Sequence, residues 1–232
     1  MTEPYTGGLL DRVLPPGCAG SEGARDDERA PLWRGEEGLV ARAVERRRRE
    51  VRIGRRCARR ALAALGAAVV ALPPDADRVP RWPHGVCGSI THTEGYVAAA
   101  VAWADRMRGL GIDAERMTRV KEDLLHLIAT PDEVERLRGL CTIARARARA
   151  LLFSAKEAAY KGHFPLTREP CGFHEAVVDV EVDDLLVEDE GRFRVRFCGP
   201  PRATRLSWIE GRYVFADGLV LTACSVEGGE AA

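Results

Sequence analysis

The sequence predicts a mixed α/β (α+β) fold built on antiparallel sheet, and three observations carry that prediction. Apolar residues recur every fourth position over 53–65, which is helical spacing. Short apolar or alternating runs follow, at Tyr96–Trp103 and Leu110–Glu115. After a second helical stretch, the last third returns to alternation between turn signals. The order is therefore helix-rich, strands, helices, strands, with a division into halves near residues 104–109.

Residues 1–35 are rich in Gly, Pro and charge and read as irregular surface chain. From Glu36 the pattern is helical. Ile53, Cys57, Ala61 and Leu65 form a stripe widened by Ala58 and Leu62, Gly54 is a possible break, and Gly66 is the stop before Pro73-Pro74. A proline-punctuated connection leads to Tyr96–Trp103, which fits a buried strand or a helical turn, and then through a turn at Asp105–Gly109 to a strand over Leu110–Glu115. Lys121–Arg138 and Ile143–Gly162 read as helices, with Pro131 opening or interrupting the first. Val177–Val182, Phe193–Phe197 and Leu219–Val226 read as strands, the last after a turn at Asp217-Gly218. This gives an irregular segment (1–35), an N-terminal half (36–106), a C-terminal half (107–226) and a flexible tail (227–232).

Composition excludes some classes of function. The 232 residues carry 35 basic and 35 acidic side chains, so bulk charge selects neither nucleic acid nor membrane as a partner. Seven scattered cysteines without a Cys-x-x-Cys pair fit reduced thiols and no zinc site. The N-terminus has no secretory pattern, and the longest apolar stretch, Ala61–Leu72, falls short of the roughly 20 residues that span a bilayer. A soluble cytoplasmic chain is expected.

Four segments carry possible chemistry. In Gly111-Ile-Asp-Ala-Glu115, strand alternation puts Asp113 and Glu115 on one face. Two carboxylates so placed repel unless a hard cation such as Mg²⁺ lies between them; a solvated strand edge is the bland alternative. In Leu151-Leu-Phe-Ser-Ala-Lys-Glu-Ala-Ala-Tyr-Lys161, helical spacing pairs Glu157 with Lys161. That is either a surface ion pair or a third carboxylate, with Lys156 and Lys161 gripping phosphates. Between residues 42 and 60 lie ten arginines, of which Arg48, Arg52, Arg55 and Arg59 share one arc of a continuous helix. Their forks suit phosphate, although a solvated face accounts for most of them, and a nucleic-acid helix is the rival reading. Finally, Gly88-Ser-Ile-Thr-His-Thr93 sets small hydroxyls beside a histidine. No nucleophile elbow, dinucleotide fingerprint or Walker loop is present.

Taken together and in order, these segments resemble the Sfp/EntD-type 4'-phosphopantetheinyl transferases, most of all their actinobacterial-like branch. The motifs that carry the resemblance are Gly-Arg-Arg-Cys-Ala-Arg-Arg-Ala-Leu (54–62), Trp-Pro-His-Gly-Val-Cys-Gly-Ser-Ile-Thr-His (82–92), Gly-Ile-Asp-Ala-Glu (111–115), Phe-Ser-Ala-Lys-Glu-Ala-Ala-Tyr-Lys (153–161), Phe-Pro-Leu-Thr (164–167) and Asp-Gly-Leu-Val-Leu-Thr-Ala (217–223). The resemblance implies two pseudo-twofold-related halves in one monomeric chain, with coenzyme A in the cleft between them. It implies that Asp113, Glu115 and Glu157 hold Mg²⁺ and that Glu157 assists deprotonation of a carrier-protein serine. It further implies that Arg47, Arg55 and His92, with Ser89 and Thr91 nearby, meet the nucleotide-end phosphates, and that Lys156 and Lys161 face the pyrophosphate. The expected partners are coenzyme A and apo acyl or peptidyl carrier domains, with neither nucleic acid nor membrane.

Three departures from the family pattern stand out. Thr93 occupies a position where cysteine is common. Pro74 replaces a frequent lysine, for which Arg78 or Arg81, with Arg78 preferred, would substitute. Gly162-His163 and Glu169–Gly172 stand where tryptophans are common, in a region expected to border the pantetheine arm or the carrier.

Overall fold

Two antiparallel sheets, each backed by one long helix, make the frame. The structure, a computed structural model, describes residues 8–23, 31–180, 188–199 and 206–228. In chain order the elements are α1 (Leu9–Val13), β1 (Cys18–Gly23), α2 (Glu45–Leu65), β2 (Val86–Thr93), β3 (Tyr96–Trp103) and β4 (Met107–Arg116). They continue with α3 (Leu125–Ile128), α4 (Pro131–Leu137), α5 (Thr142–Thr167), β5 (Ala176–Asp179), β6 (Glu190–Phe197), β7 (Trp208–Ala216) and β8 (Leu219–Glu227). One sheet has the order β1-β3-β2 and the other β4-β8-β7-β6-β5.

β3 explains why its sequence reads as an unbroken apolar run. Val97, Ala99 and Val101 pack with Ile53, Cys57, Ala61 and Leu62 of α2. Ala98, Ala100 and Ala102 on the opposite face pack with Leu110, Ile112 and Ala114 of β4 and with Val214, Leu221 and Ala223. A strand buried on both faces has no polar alternation to display. The third cluster joins α5 to the outer strands through Leu151, Ala155, Ala158, Val195, Ile209 and Val220.

Several expectations are corrected. Residues 1–35 are not irregular where the structure describes residues 9–13 and 18–23. α1 buries Leu10 and Val13 against the second sheet, and β1 pairs with β3 from Cys18↔Ala102 to Gly23↔Val97. Gly54 does not split the arginine helix, because α2 is continuous. The residue is small because a Cβ there would lie 3.0 Å from Ile90 Cγ2, so it lets the helix settle onto β2. Gly66 does end the helix, in the left-handed conformation at φ 77°. The stretch 121–138 breaks into a 3₁₀ turn, α3 and α4, the last opened by a capping box between Thr130 and Glu133 with Pro131 at the first turn. β7 was not anticipated. Of the expected strand Val177–Val182, β5 accounts for Ala176–Asp179, and residues 181–182 lie outside the described residues. Among the described residues no disulfide is present, and no helix is long and apolar enough to cross a membrane.

Candidate active site

Gly109, Gly111, Asp113 and Glu115 alternate along β4, so all four face α5. The glycines set the distance between strand and helix. A Cβ on Gly111 would lie 1.9 Å from the Ala158 carbonyl oxygen, and one on Gly109 would lie 2.4 Å from that of Gly162. Bare backbone thus lets α5 lie directly on β4, and that approach delivers Glu157 and Lys161 to Asp113. Lys161 Nζ donates to Asp113 Oδ1 at 2.7 Å and to the Ile112 carbonyl at 3.2 Å.

On the other side of β4 stands β2, the edge of the smaller sheet, and side-chain hydroxyls stitch the two strands together. Ser89 Oγ accepts the Ile112 N–H at 3.1 Å and Thr91 Oγ1 accepts that of Ala114 at 3.0 Å. Thr91 donates to Asp113 Oδ1 at 3.1 Å, and Thr93 donates to Glu115 Oε1 at 3.1 Å. The odd-numbered residues of β2 therefore serve the junction, while His92 points toward α2. Its Nε2 is in close contact with Arg47 Nη1, and its Nδ1 lies 3.5 Å from Glu50 Oε2. Loss of water on the ring's protein-facing side, reinforced by Arg47, pushes the His92 pKa down to about 4, so the ring is neutral at neutral pH.

Ten of the eleven side chains assigned from sequence line one cleft of about 790 Å³ between α2, β2, β4 and α5. Arg47, Arg55 and Arg78 form its basic wall with Ser89, Thr91 and His92, and Asp113, Glu115, Glu157 and Lys161 form its acidic end. Arg55 is almost fully buried, and its Nε has no hydrogen-bond partner among the described residues. Burial lowers its pKa from the ordinary arginine value, against the attraction of Glu36. A buried guanidinium with an unused donor, opening on a cleft, is ready for an anion. Arg78 is held at φ 67° in a turn whose Asp75 Oδ1 accepts the N–H groups of Asp77 and Val79. Arg81 is exposed and does not line the cleft.

The eleventh residue, Lys156, is a correction. It points away from the cleft into the body of the larger half, where Nζ donates to Glu133 Oε2 at 2.7 Å and to the carbonyls of Ile128 and Phe173 at 2.8 and 3.0 Å. With three acceptors around a buried ammonium it has nothing left for a phosphate. The arginine arc also divides. Arg59 grips the fully buried Glu36 through Nη1 at 3.0 and 3.1 Å, Arg52 pairs with Glu45, and Arg48 donates to the Ala43 carbonyl. Of the tryptophan-replacing pair, Gly162 contacts β4 and His163 is buried against Phe197, so neither faces a ligand. The cleft also has walls that the sequence reading missed, namely Glu50, Arg119, Phe153, Tyr160 and Phe164. Helical spacing from Glu157 and Lys161 would have found Phe153, Tyr160 and Phe164.

The acidic end is unfinished in a particular way. Asp113 Oδ2 is buried with no hydrogen-bond partner among the described residues. Glu157 is partly buried; desolvation, with Asp113 and Glu115 adding to it and Lys161 opposing, raises its pKa from the usual carboxylate value. Among the described residues no three His, Cys, Asp or Glu side chains close a coordination shell by themselves. The donor set still fits Mg²⁺, which takes one or two protein carboxylates and fills its octahedron with water and phosphate oxygens.

A cleft with guanidinium groups at one end and carboxylates around a lysine at the other is suited to an enzyme whose ligand carries phosphates. Comparison with known proteins gives the family. Residues 35–102 match the 4'-phosphopantetheinyl transferase N-terminal domain, and residues 109–224 match the 4'-phosphopantetheinyl transferase superfamily. The chain is 39% identical to the 4'-phosphopantetheinyl transferase Npt of Nocardia iowensis over 93% of its own length and 98% of that protein's. It is 39% identical to Svp of Streptomyces mobaraensis (88% and 82% covered) and 38% identical to PptT of Mycobacterium tuberculosis (81% and 83% covered). The chain belongs to the 4'-phosphopantetheinyl transferase family and is an enzyme of that class.

Proposed function

We propose that the protein transfers 4'-phosphopantetheine from coenzyme A to a serine of apo acyl or peptidyl carrier domains, in a Mg²⁺-dependent reaction that releases 3',5'-ADP. The observation that carries this reading is the single cleft that joins ten of the eleven sequence-assigned side chains, cationic at one end and acidic at the other. The nucleotide phosphates lie against Arg47, Arg55, Arg78 and His92, with Ser89 and Thr91 beside them. The pyrophosphate lies at Lys161, close to Asp113. The carrier serine oxygen attacks the β-phosphorus, which bears pantetheine. The P–O bond to the nucleotide breaks, and 3',5'-ADP leaves with the bonding pair. Glu157, whose pKa burial raises from the ordinary glutamate value, takes the serine proton. Asp113, whose Oδ2 has no partner among the described residues, would hold the metal together with Glu115 or Glu157, water and phosphate oxygens completing the shell. When bound, Mg²⁺ neutralises charge on the pyrophosphate and the leaving group. The chain then divides into a nucleotide-end half (36–106) and a catalytic half (107–226), related by a pseudo-twofold axis and acting as a cytoplasmic monomer.

The test is incubation of the full chain with coenzyme A, Mg²⁺ and a panel of apo carriers from fatty-acid, polyketide and nonribosomal-peptide systems, followed by mass measurement of each carrier. Gain of one phosphopantetheine on at least one carrier is expected, and no gain on any of them with folded enzyme overturns the reading. The arginine helix gives the rival reading, nucleic-acid binding, little support, because Arg52 and Arg59 are engaged by carboxylates and Arg55 faces the cleft.

A further inference from the structure

We infer that Thr93, with Thr91 beside it, is a positioning residue that orients the metal-facing carboxylates across the junction of the two sheets; this rests on the reading of Asp113 and Glu115 as metal ligands. The hydrogen bonds divide each carboxylate into a held oxygen and an open one. Asp113 Oδ1 receives hydrogen bonds from Thr91 Oγ1 and Lys161 Nζ, while Oδ2 has no partner among the described residues. Glu115 Oε1 receives Thr93 Oγ1 at 3.1 Å and the Arg116 N–H at 2.7 Å, with Arg119 Nη1 at 4.0 Å, while Oε2 accepts no hydrogen bond among the described residues. Thr91 and Thr93 are themselves buried, at 1% and 3% exposure, so their hydroxyls do not exchange these bonds for water.

The arrangement has a physical purpose. A free carboxylate rotates about its last bond and presents either oxygen. One hydroxyl donor on one oxygen restrains that rotation and leaves the lone pairs of the second oxygen unused. Such outer partners of metal ligands raise affinity by fixing orientation in advance. The donors lie on β2 of the small sheet and the carboxylates on β4 of the large one, so the site forms only when the two sheets dock. His92, between the two threonines, faces the other way, so removing the Thr93 hydroxyl leaves the phosphate-facing wall intact.

The test uses the full chain with Mn²⁺ as the probe, free Mn²⁺ being counted by electron paramagnetic resonance. Coenzyme A affinity is measured separately in excess chelator, and melting temperature serves as the fold check. Thr93→Val keeps the side-chain shape and removes the donor. It is expected to weaken Mn²⁺ binding roughly tenfold while metal-free coenzyme A binding stays within about twofold, and Thr93→Ser is expected to restore Mn²⁺ binding to within about twofold of the parent. Unchanged Mn²⁺ affinity in Thr93→Val overturns the inference. So does a parallel fall in Mn²⁺ and coenzyme A binding, or a serine variant that binds Mn²⁺ no better than valine. Should Thr93→Val fail to fold, Thr93→Ser against Thr93→Ala makes the same comparison with the same outcomes. A parent protein that binds Mn²⁺ but modifies no carrier defeats the proposed function and leaves the threonine comparison readable, whereas a parent that modifies a carrier but binds no Mn²⁺ defeats this inference and leaves the transfer reaction standing.

Discussion

Lys156 and Lys161 lie five residues apart on α5, and each stands 2.7 Å from a carboxylate, yet the two pairs do opposite things. Five residues turn the helix by roughly 140°, so the lysines leave on different faces. Lys156 meets Glu133 in the body of the larger half, and every group there is satisfied. The ammonium has three acceptors, while Glu133 also accepts the N–H groups of Thr130 and Val178. Lys161 meets Asp113 at the cleft, where one carboxylate oxygen has no partner among the described residues and Glu157 adds a second nearby acid. A saturated buried pair fixes packing around it. An unsaturated one at a cavity wall retains capacity for a ligand.

Breaking the acidic side of the open pair gives the largest effect. Asp113→Ala is expected to reduce carrier modification by about 10⁴-fold, or ~5 kcal/mol of barrier, since it removes both the proposed metal ligand and the partner of Lys161. The melting temperature should change little, and a variant with more than a tenth of the parent rate would refute the site assignment. Breaking the closed pair moves the other observable. Lys156→Met leaves Glu133 charged in an interior without its cation, which costs about 3–5 kcal/mol of stability. Denaturant unfolding reads this directly, and the folded fraction should retain near-parental turnover. A stable but inactive Lys156→Met protein would return Lys156 to the phosphate-binding role that its motif implied.

That motif explains what the sequence could and could not disclose. Taken alone, Phe153–Lys161 reads as a helix with a surface ion pair, and only its place in the ordered set of motifs marks it as a candidate for function. Which of its two lysines reaches the cleft depends on Glu133, a residue 23 positions away whose burial no local pattern announces. The same limit hid Arg59, whose partner Glu36 lies in the loop before the helix and is fully buried. Asp113 and Glu115 were legible because strand alternation places them together regardless of tertiary context. Gly109-x-Gly111 lacks the third glycine of a dinucleotide fingerprint; its two glycines continue the same strand face and admit α5. α1 and β1 escaped because they are short and glycine-rich, and tertiary pairing with β3 sets their structure. Thr93 registered only as a departure from the family pattern; its bond to Glu115 needs the docking of the second sheet.

Removing the open pair's cation should give an intermediate effect on rate and almost none on stability. Lys161→Ala is expected to lower turnover by about 10²-fold, the scale for losing one preorganised charge at a reacting phosphate. The lysine is partly solvent-exposed, so the stability change should stay within about 1 kcal/mol. Equal losses in Lys156→Met and Lys161→Ala, in either assay, would erase the distinction between the two pairs.

The smallest effect tests the charge balance at the cleft. Burial first, and then Asp113 and Glu115, raise the Glu157 pKa against the pull of Lys161, so the folded protein holds that proton more tightly than the unfolded chain does. Such a group favours folding fully below its unfolded pKa, and the contribution is lost as pH rises through the folded value. Glu157→Gln should therefore melt above the parent at pH 7 without divalent metal, and the difference should close toward the ordinary glutamate range near pH 4. Added Mg²⁺ should raise the parent's melting temperature and leave the glutamine variant less affected, because the ion compensates the charge that burial penalises. A glutamine variant that melts below the parent at pH 7, or a gain that persists at pH 4, would mean that Glu157 is held by a partner other than the carboxylates and lysine of the open pair.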